Sequence, residues 1–365
     1  MKRSSYSVLE ANLVYMVMAF VLMTFGAYVQ EQSFVSGIFI TEYVIVLAPV
    51  LLIGLVRKID LKKALRLNPL SFKQVTTIIA ISFALLPTVA FVNMLAVYLL
   101  SLINKVLELP IPTASNFGEL GLYMFLISFS AGVCEEFFFR GMMLNAFENK
   151  LNKKWGVIIS AVLFGVFHFN MQNLLGPIVL GLVFGYIVQL TNSLWAGVIA
   201  HATNNGIAVI LGYFANMASN SQAVAEAQAQ QLNDSASLLI TLVFLLVIAS
   251  GLWIVIWKLL QSLRNDTNKF EDNSKIRIRG VDYLILSQYN DSVAAVRVDA
   301  LGKDEAAKEV RNIEISKLKR LNPQNISKLW DDPIKEGANY LHYLPWLGVV
   351  GLYAWYVNMH LTYVG

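Results

Sequence analysis

The sequence predicts an all-α polytopic membrane protein with about nine transmembrane helices and a small cytoplasmic insert that is α+β or partly disordered. Of the 365 residues, 56% are hydrophobic and only 14% are charged. The mean hydropathy is +0.57, and apolar runs of the roughly 20 residues that cross a bilayer recur along the chain. The predicted segments are residues 8–29, 38–56, 75–102, 117–139, 155–169, 174–190, 194–214, 238–257 and 341–361.

The basic residues predict the orientation of these segments, because Lys and Arg accumulate in the short cytoplasmic loops of membrane proteins. With Lys2 and Arg3 inside, nine crossings put every other Lys and Arg except Lys105 inside as well. We therefore expect an integral, multi-pass protein, N-in and C-out, with the N-terminus and residues 261–338 in the cytoplasm. In a bacterium this membrane is the plasma membrane. The net charge of +4 follows from the loop bias and does not indicate nucleic-acid binding.

Four regions follow from the pattern of segments. Residues 1–116 contain the N-terminal helices with an amphipathic interfacial segment at 57–72, and residues 117–260 form the core that carries the candidate site. Residues 261–338 form the insert, which is polar and β-rich at first and then predicts a charged helix over 302–322. A solvated linker is the alternative interpretation of this insert, and a protein partner could bind to it. Residues 339–365 return the chain to the membrane.

Ionisable groups inside a membrane segment are costly and usually face a cavity or a partner, so each one predicts function. The residues that qualify cluster in three segments, and two asparagines accompany the second histidine. They are Glu135, Glu136, Arg140, His168, His201, Asn204 and Asn205. The single cysteine, Cys134, excludes an intrachain disulfide and a site built from several thiolates.

The spacing within "EEFFFR" separates the roles of the two glutamates. Glu136 and Arg140 stand at i and i+4, which favours a paired bridge, and Glu135 is rotated by about 100° from Glu136 on a helix. Arg140 can therefore neutralise Glu136 and leave Glu135 as a general base, with His168 and His201 as the groups to face it. A purely structural bridge between Glu136 and Arg140 remains open and is compatible with catalysis by Glu135.

The second histidine suggests how a reaction intermediate would be stabilised. His201 and Asn205 also stand at i and i+4, so both side chains project from one face of their helix. Paired donors on one face are suited to a developing oxyanion. A water held between Glu135 and His168, opposite a carbonyl held by His201 and Asn205, would hydrolyse a peptide bond without a covalent intermediate.

These residues resemble the motifs of the CPBP family, also called Abi or type II CAAX prenyl proteases, which includes the Rce1-type intramembrane endopeptidases. The family's three motifs occur here in order, as Glu135-Glu136-x-x-x-Arg140, Phe164-x-x-x-His168 and His201-x-x-x-Asn205. The resemblance covers roughly residues 117–214. It implies that Glu135 and His168 activate water, that His201 and Asn205 form the oxyanion hole, and that Glu136 and Arg140 support the site.

Several alternatives stay open at the level of sequence. We favour a reaction without metal or other cofactor, but zinc held by Glu135, His168 and His201 is the alternative. The expected substrate is a membrane-associated peptide or a lipidated protein, such as a CAAX-type prenylated protein or, in bacteria, a peptide, pheromone or bacteriocin precursor. A non-catalytic membrane scaffold, including a bacteriocin self-immunity protein that binds a partner, is the second hypothesis. A proton-coupled transporter is the third, although it predicts polar residues spread over more helices.

Overall fold

The computed structural model describes residues 5–103, 112–218, 235–267, 275–278, 281–289, 292–297, 311–314 and 340–363. The chain divides into two compact units. One is Met1–Leu263 together with Pro333–Gly365, and the other is Arg264–Asp332.

Helices account for nearly all of the first unit's described residues. They are α1 (Val8–Gln32), α2 (Phe34–Val56), α3 (Leu61–Ala64), α4 (Phe72–Ser101), α5 (Phe117–Lys150), α6 (Lys153–Val166), α7 (Leu175–Thr191), α8 (Leu194–Ala218), α9 (Ser235–Thr267) and α10 (Pro345–Tyr363). Ser7 and Ser71 begin α1 and α4 with capping boxes, in which each serine and the residue three positions later satisfy each other's backbone N–H groups.

The predicted all-α polytopic membrane fold is confirmed. Each of the nine predicted segments falls on a helix, and in the part of the chain that the structure describes six helices, α1, α2, α4, α5, α8 and α9, are long and apolar enough to cross a membrane. Helices α6 and α7 have 14 and 17 residues. At 1.5 Å per residue they are about 21 and 26 Å long, which is less than the roughly 30 Å of a hydrocarbon core.

Three of the long helices contain wider, π-helical turns. These stretches are Leu22–Gly26 in α1, Ile40–Leu47 in α2, and both Met124–Ser130 and Phe137–Leu144 in α5. Turns of this kind often lie at functional sites. Here one contains Glu42 and another begins directly after Glu136, so the irregular turns coincide with carboxylates inside the bundle.

An aromatic core holds α1, α5 and α6 together. Tyr15, Phe138 and Phe139 are fully buried, and the Tyr15 ring lies 6.2 Å from each of the two phenylalanine rings. The Tyr15 hydroxyl donates a 2.8 Å hydrogen bond to the carbonyl of Leu163, near the end of α6. Phe138 and Phe139 therefore pack in the core and fix α5, the helix that carries the candidate acid–base groups.

The last helix is attached to the first through Asn12, which is fully buried. Its Nδ2 donates to the carbonyl of His342 at 2.8 Å, and its Oδ1 accepts from Nε1 of Trp346 at 2.9 Å. Both polar ends of the amide are thus satisfied, as a buried amide requires. This pair of bonds brings α10 alongside α1.

The second unit contains a four-stranded antiparallel sheet in the order β1 (Lys275–Ile278), β2 (Val281–Tyr289), β3 (Ser292–Arg297) and β4 (Arg311–Glu314). Ile276 pairs with Tyr283, Leu284 with Val296, and Val293 with Ile313. The β-rich character predicted for this insert is thus observed. The charged helix predicted over 302–322 is wrong at β4, where strand pairing overrides the charged pattern, and its other residues lie outside the described ones.

Candidate active site

A buried ion pair occupies the middle of α5. Nη1 of Arg140 lies 2.6 Å from Oε1 of Glu136, and both side chains are 0% exposed. An isolated charge at such a position is costly, and a close partner of opposite sign removes much of that cost. The structure therefore contains the pair that the i,i+4 spacing predicts.

Arg140 has aromatic neighbours from two other helices. Its Cζ lies 4.5 Å from the ring centroid of Phe164 in α6 and 5.7 Å from that of Phe184 in α7. Nε and Nη2 of Arg140 have no hydrogen-bond partner among the described residues. The ring faces supply the cation–π attraction that replaces those hydrogen bonds. Phe164, which belongs to the second motif, therefore stabilises Arg140 of the first motif.

His201 in α8 contacts the same carboxylate. Its Nδ1 lies 3.0 Å from Oε1 of Glu136 in a buried hydrogen bond, and a carboxylate oxygen accepts, so Nδ1 carries the hydrogen. Space for the carboxylate comes from Gly197, where a Cβ atom would meet Oε2 of Glu136 and would lie 2.9 Å from Cγ2 of Val188. The sequence paired His201 with Glu135, whereas the structure pairs it with Glu136.

Asn205 lies one turn after His201, on the side of α8 that packs against α5. Its Nδ2 donates to the carbonyl of Ile127 at 3.0 Å, and Ser128 donates to the carbonyl of Ala202 at 2.7 Å. Close approach of the two backbones is possible at Gly132, where a Cβ would lie 3.1 Å from the Ala202 nitrogen. The amide of Asn205 has two hydrogens, so one remains for another acceptor.

The two other acid–base groups of the sequence prediction, Glu135 and His168, line one cavity of about 390 Å³. Oε2 of Glu135 is buried and has no hydrogen-bond partner among the described residues. The walls come from α1, α2, α5, the turn after α6 and α10. The lining residues are Leu22, Met23, Ala27, Gln30, Thr41, Glu42, Val46, Glu135, Phe167, His168, Phe169, Trp355, Tyr356 and Met359.

His168 lies in the turn that follows α6, rather than inside a span that continues to Phe169, because α6 ends at Val166. Its Nδ1 lies 2.8 Å from the carbonyl of Phe164. A carbonyl can only accept, so Nδ1 carries the hydrogen and the neutral ring has its lone pair on Nε2. Phe169 has a φ of 43°, a strained conformation for a bulky residue of the kind that clusters at functional sites.

Glu42 lines this cavity and was not among the candidate residues predicted from the sequence. It lies in the π-helical stretch of α2, its Oε2 is buried without a hydrogen-bond partner, and it interacts electrostatically with Glu135. A carboxylate within a predicted transmembrane segment is itself a signal of function. Glu42 lies in such a segment, but no second polar residue stands three or four positions from it to indicate a site.

The candidate residues thus fall into two groups. Glu135 and His168 face the cavity, while Glu136, Arg140 and His201 form a buried network beside it. Phe164 links the groups, since its ring centroid lies 4.9 Å from that of His168 and 5.6 Å from that of His201.

The zinc set that the sequence left open does not assemble in this arrangement. Its three members, Glu135, His168 and His201, are divided between the cavity and the buried network. No cluster of three or more His, Cys, Asp or Glu side chains that could hold a metal ion occurs in the described ranges. The residues present therefore do not fit a zinc site of that composition.

The candidate site lies in a region of the chain whose sequence is similar to known proteins. The family model described as type II CAAX prenyl endopeptidase Rce1-like matches residues 118–207. A protein of Bacillus subtilis (strain 168) named "Putative membrane peptidase YdiL" is 30% identical over 89 residues, which is 24% of this chain and 36% of that protein. The chain therefore matches only about a third of this relative's length. No solved structure matches the chain.

These matches confirm the resemblance inferred from the three motifs. All seven candidate residues from Glu135 to Asn205 lie within the matched region, whereas Glu42 and helix α10 lie outside it. The apolar helices support an integral membrane protein, and residues 118–207 are similar to a family of membrane proteases.

Proposed function

We propose that this protein is an intramembrane endopeptidase that hydrolyses a peptide bond of a membrane-associated substrate with a water activated by Glu135 and His168. One observation carries the proposal: the two side chains line a single cavity inside the helix bundle, and Oε2 of Glu135 is buried there without a partner. The similarity of residues 118–207 to a protease family supports the same reaction class.

In this proposal Glu135 is the general base. It takes a proton from a water in the cavity while the water oxygen attacks the scissile carbonyl carbon. His168 orients the water, because the bond from its Nδ1 to the Phe164 carbonyl leaves the Nε2 lone pair to accept the water's second hydrogen. Arg140 forms its ion pair with Glu136 rather than with Glu135, so the Glu135 carboxylate is left to accept the proton.

His201 and Asn205 stabilise the negative charge that develops on the carbonyl oxygen. Asn205 has one amide hydrogen left after its bond to Ile127. Nδ1 of His201 is already bonded to Glu136, so donation to the carbonyl oxygen from Nε2 requires the imidazolium form. Glu136 is therefore a positioning residue, and the substrate carbonyl lies between the cavity and α8, near the Phe164 ring.

The substrate class follows from the setting of the site. A cavity lined by residues of apolar helices suits a peptide that is itself membrane-associated, either a CAAX-type lipidated protein or a bacterial peptide, pheromone or bacteriocin precursor. In this proposal the protein lies in the plasma membrane of a bacterium, with the N-terminus and the insert in the cytoplasm, where the insert could contact a protein partner.

Cleavage by the purified full chain in lipid nanodiscs tests the proposal. Two peptide panels are needed, one farnesylated at a C-terminal CAAX box and one of unmodified hydrophobic precursor peptides, with the products identified by mass spectrometry. We expect the wild type to cleave members of one panel and Glu135→Ala to cleave none. Cys134→Ser should cleave like the wild type, since Cys134 is buried and water is the nucleophile. Failure of the wild type on both panels would favour the scaffold hypothesis, and equal cleavage by Glu135→Ala would remove Glu135 from the base position.

A further inference from the structure

Two carboxyl groups line the cavity. Glu42 comes from α2 and Glu135 from α5, and one oxygen of each, Oε2 in both cases, is buried without a hydrogen-bond partner. The two groups interact electrostatically. Only Glu135 lies in the region that matches a known family, so the second carboxyl group is a feature of the chain beyond that region.

Two neighbouring carboxyl groups in a low-dielectric cavity cannot easily both be ionised, because like charges repel and neither is solvated as in bulk water. A bonded cation would relieve this repulsion. The nearby Arg140 is already bonded to Glu136, and Glu42 has no ion pair among those described. A single proton on the pair, which leaves one carboxylate and one carboxylic acid, would also relieve this repulsion.

None of the other titratable groups around Glu42 forms an ion pair with it among the described residues. Cys134 adjoins Glu135 in α5 and is fully buried, His168 reaches the cavity from the turn after α6, and Tyr356 reaches it from α10. Nδ1 of His168 is already bonded to a backbone carbonyl. On Glu42's own helix, the Tyr43 hydroxyl is paired with Ser130 Oγ at 2.9 Å.

We infer that Glu42 is the carboxylic acid of this pair and that it protonates the leaving amine when Glu135 has activated the water. This inference rests on the proposed function. Glu135 gains a proton as the water oxygen bonds to the carbonyl carbon. When the tetrahedral intermediate collapses, the C–N bond breaks and Glu42 gives its proton to the departing nitrogen. Transfer of the proton from Glu135 to Glu42 then restores the starting state, so one water is consumed and one acid and one amine are formed.

The first test examines the proton itself and needs no substrate. Infrared spectra of the purified full chain at neutral pH should contain the C=O stretch of a protonated carboxyl group that exchanges slowly with deuterated water. Glu42→Gln should lose this band. Glu119→Gln is the matched control, because Glu119 is a half-buried carboxylate outside the cavity, at the start of α5, that accepts hydrogen bonds from the backbone N–H and the hydroxyl of Ser115, and it should retain the band. A wild type without the band, or a band unchanged in Glu42→Gln, overturns the pair.

The second test examines catalysis on a peptide that the wild type cleaves. Glu42→Gln should lower kcat by roughly 10²- to 10⁴-fold, the usual contribution of a positioned acid, with KM changed little. The wild-type rate should fall at high pH as Glu42 loses its proton, and Glu42→Gln should lack this fall. Unchanged kcat in Glu42→Gln with an unchanged melting temperature overturns the catalytic role.

The two readouts separate failure of this inference from failure of the proposed function. If the wild type cleaves no peptide, the catalytic part of the inference fails together with the proposed function, while the infrared band still decides whether Glu42 and Glu135 share a proton. If the wild type cleaves and the band is absent, the proposed function stands and the carboxyl pair fails.

Discussion

Nδ1 of His201 lies 3.0 Å from Oε1 of Glu136, and this same oxygen lies 2.6 Å from Nη1 of Arg140. One buried carboxylate oxygen thus joins α8 to α5, since it accepts a hydrogen bond from His201 and forms an ion pair with Arg140. Because a carboxylate oxygen accepts, this contact requires a hydrogen on Nδ1 of His201. The second glutamate of the motif therefore contacts the histidine of α8.

We expect Glu136→Gln to destabilise the protein strongly. The change leaves Arg140 as an uncompensated buried charge, which costs about 3–5 kcal/mol. The measurement is the free energy of unfolding of the full chain in mixed detergent micelles. The double variant Glu136→Gln/Arg140→Met removes the stranded charge and should recover part of the loss. A double variant less stable than the single variant would contradict this account of the pair.

Gly197→Ala should disturb the same carboxylate without changing any charge. The new methyl group would meet Oε2 of Glu136 and lie 2.9 Å from Cγ2 of Val188, and such overpacking costs about 1–3 kcal/mol. The melting temperature should fall, and proteolytic activity should fall with it. Gly251→Ala in α9 is the matched control, since no atom lies within 4 Å of its Cβ position; it should be neutral or slightly stabilising. Equal effects at the two glycines would contradict the contact.

His201→Gln tests the oxyanion role on a peptide that the wild type cleaves. A glutamine at this position lacks the cationic donor, so kcat should fall by about 10²- to 10³-fold, as when one oxyanion donor is removed. Binding of the uncleaved peptide, measured with a catalytically inactive background such as Glu135→Ala, should change little. A large loss of peptide affinity with kcat retained would instead indicate that His201 contacts the substrate in its ground state.

Cleavage should persist in the presence of a chelator. The expectation follows from the side chains: Glu135 and His168 line the cavity, while His201 is bonded to Glu136. The rate after dialysis against EDTA should equal the untreated rate, and elemental analysis of the active protein should find less than one zinc per chain. Loss of activity that is restored by zinc alone would contradict this prediction and revive the zinc alternative.

Local spacing predicted much of the site. The i,i+4 positions of Glu136 and Arg140 predicted their bridge, and the helical rotation between adjacent residues predicted that Glu135 faces a different environment. Both relationships depend on one helix only. The hydrophobic segments similarly predicted the helices, because crossing hydrocarbon requires long apolar runs.

Relationships between helices could not be obtained in this way. The bond between His201 and Glu136 depends on how α8 packs against α5. Gly197 and Gly132 permit this close packing. The spacing of residues within either helix cannot predict it. Spacing did not predict Glu42 for the same reason. Glu42 and Glu135 line one cavity only because α2 packs beside α5. The position of His168 beyond the end of α6 was missed because apolar residues continue through Phe169 after the helix has ended.

The central claim is that Glu135 is the base, and one matched comparison tests it most directly. Glu135→Gln and Glu119→Gln change the same residue type to the same amide on the same helix, but only Glu135 lines the cavity. The measurement is single-turnover cleavage of a membrane peptide by each variant in nanodiscs. We predict a loss of at least about 10²-fold for Glu135→Gln and a wild-type rate for Glu119→Gln. Wild-type cleavage by Glu135→Gln would contradict the account.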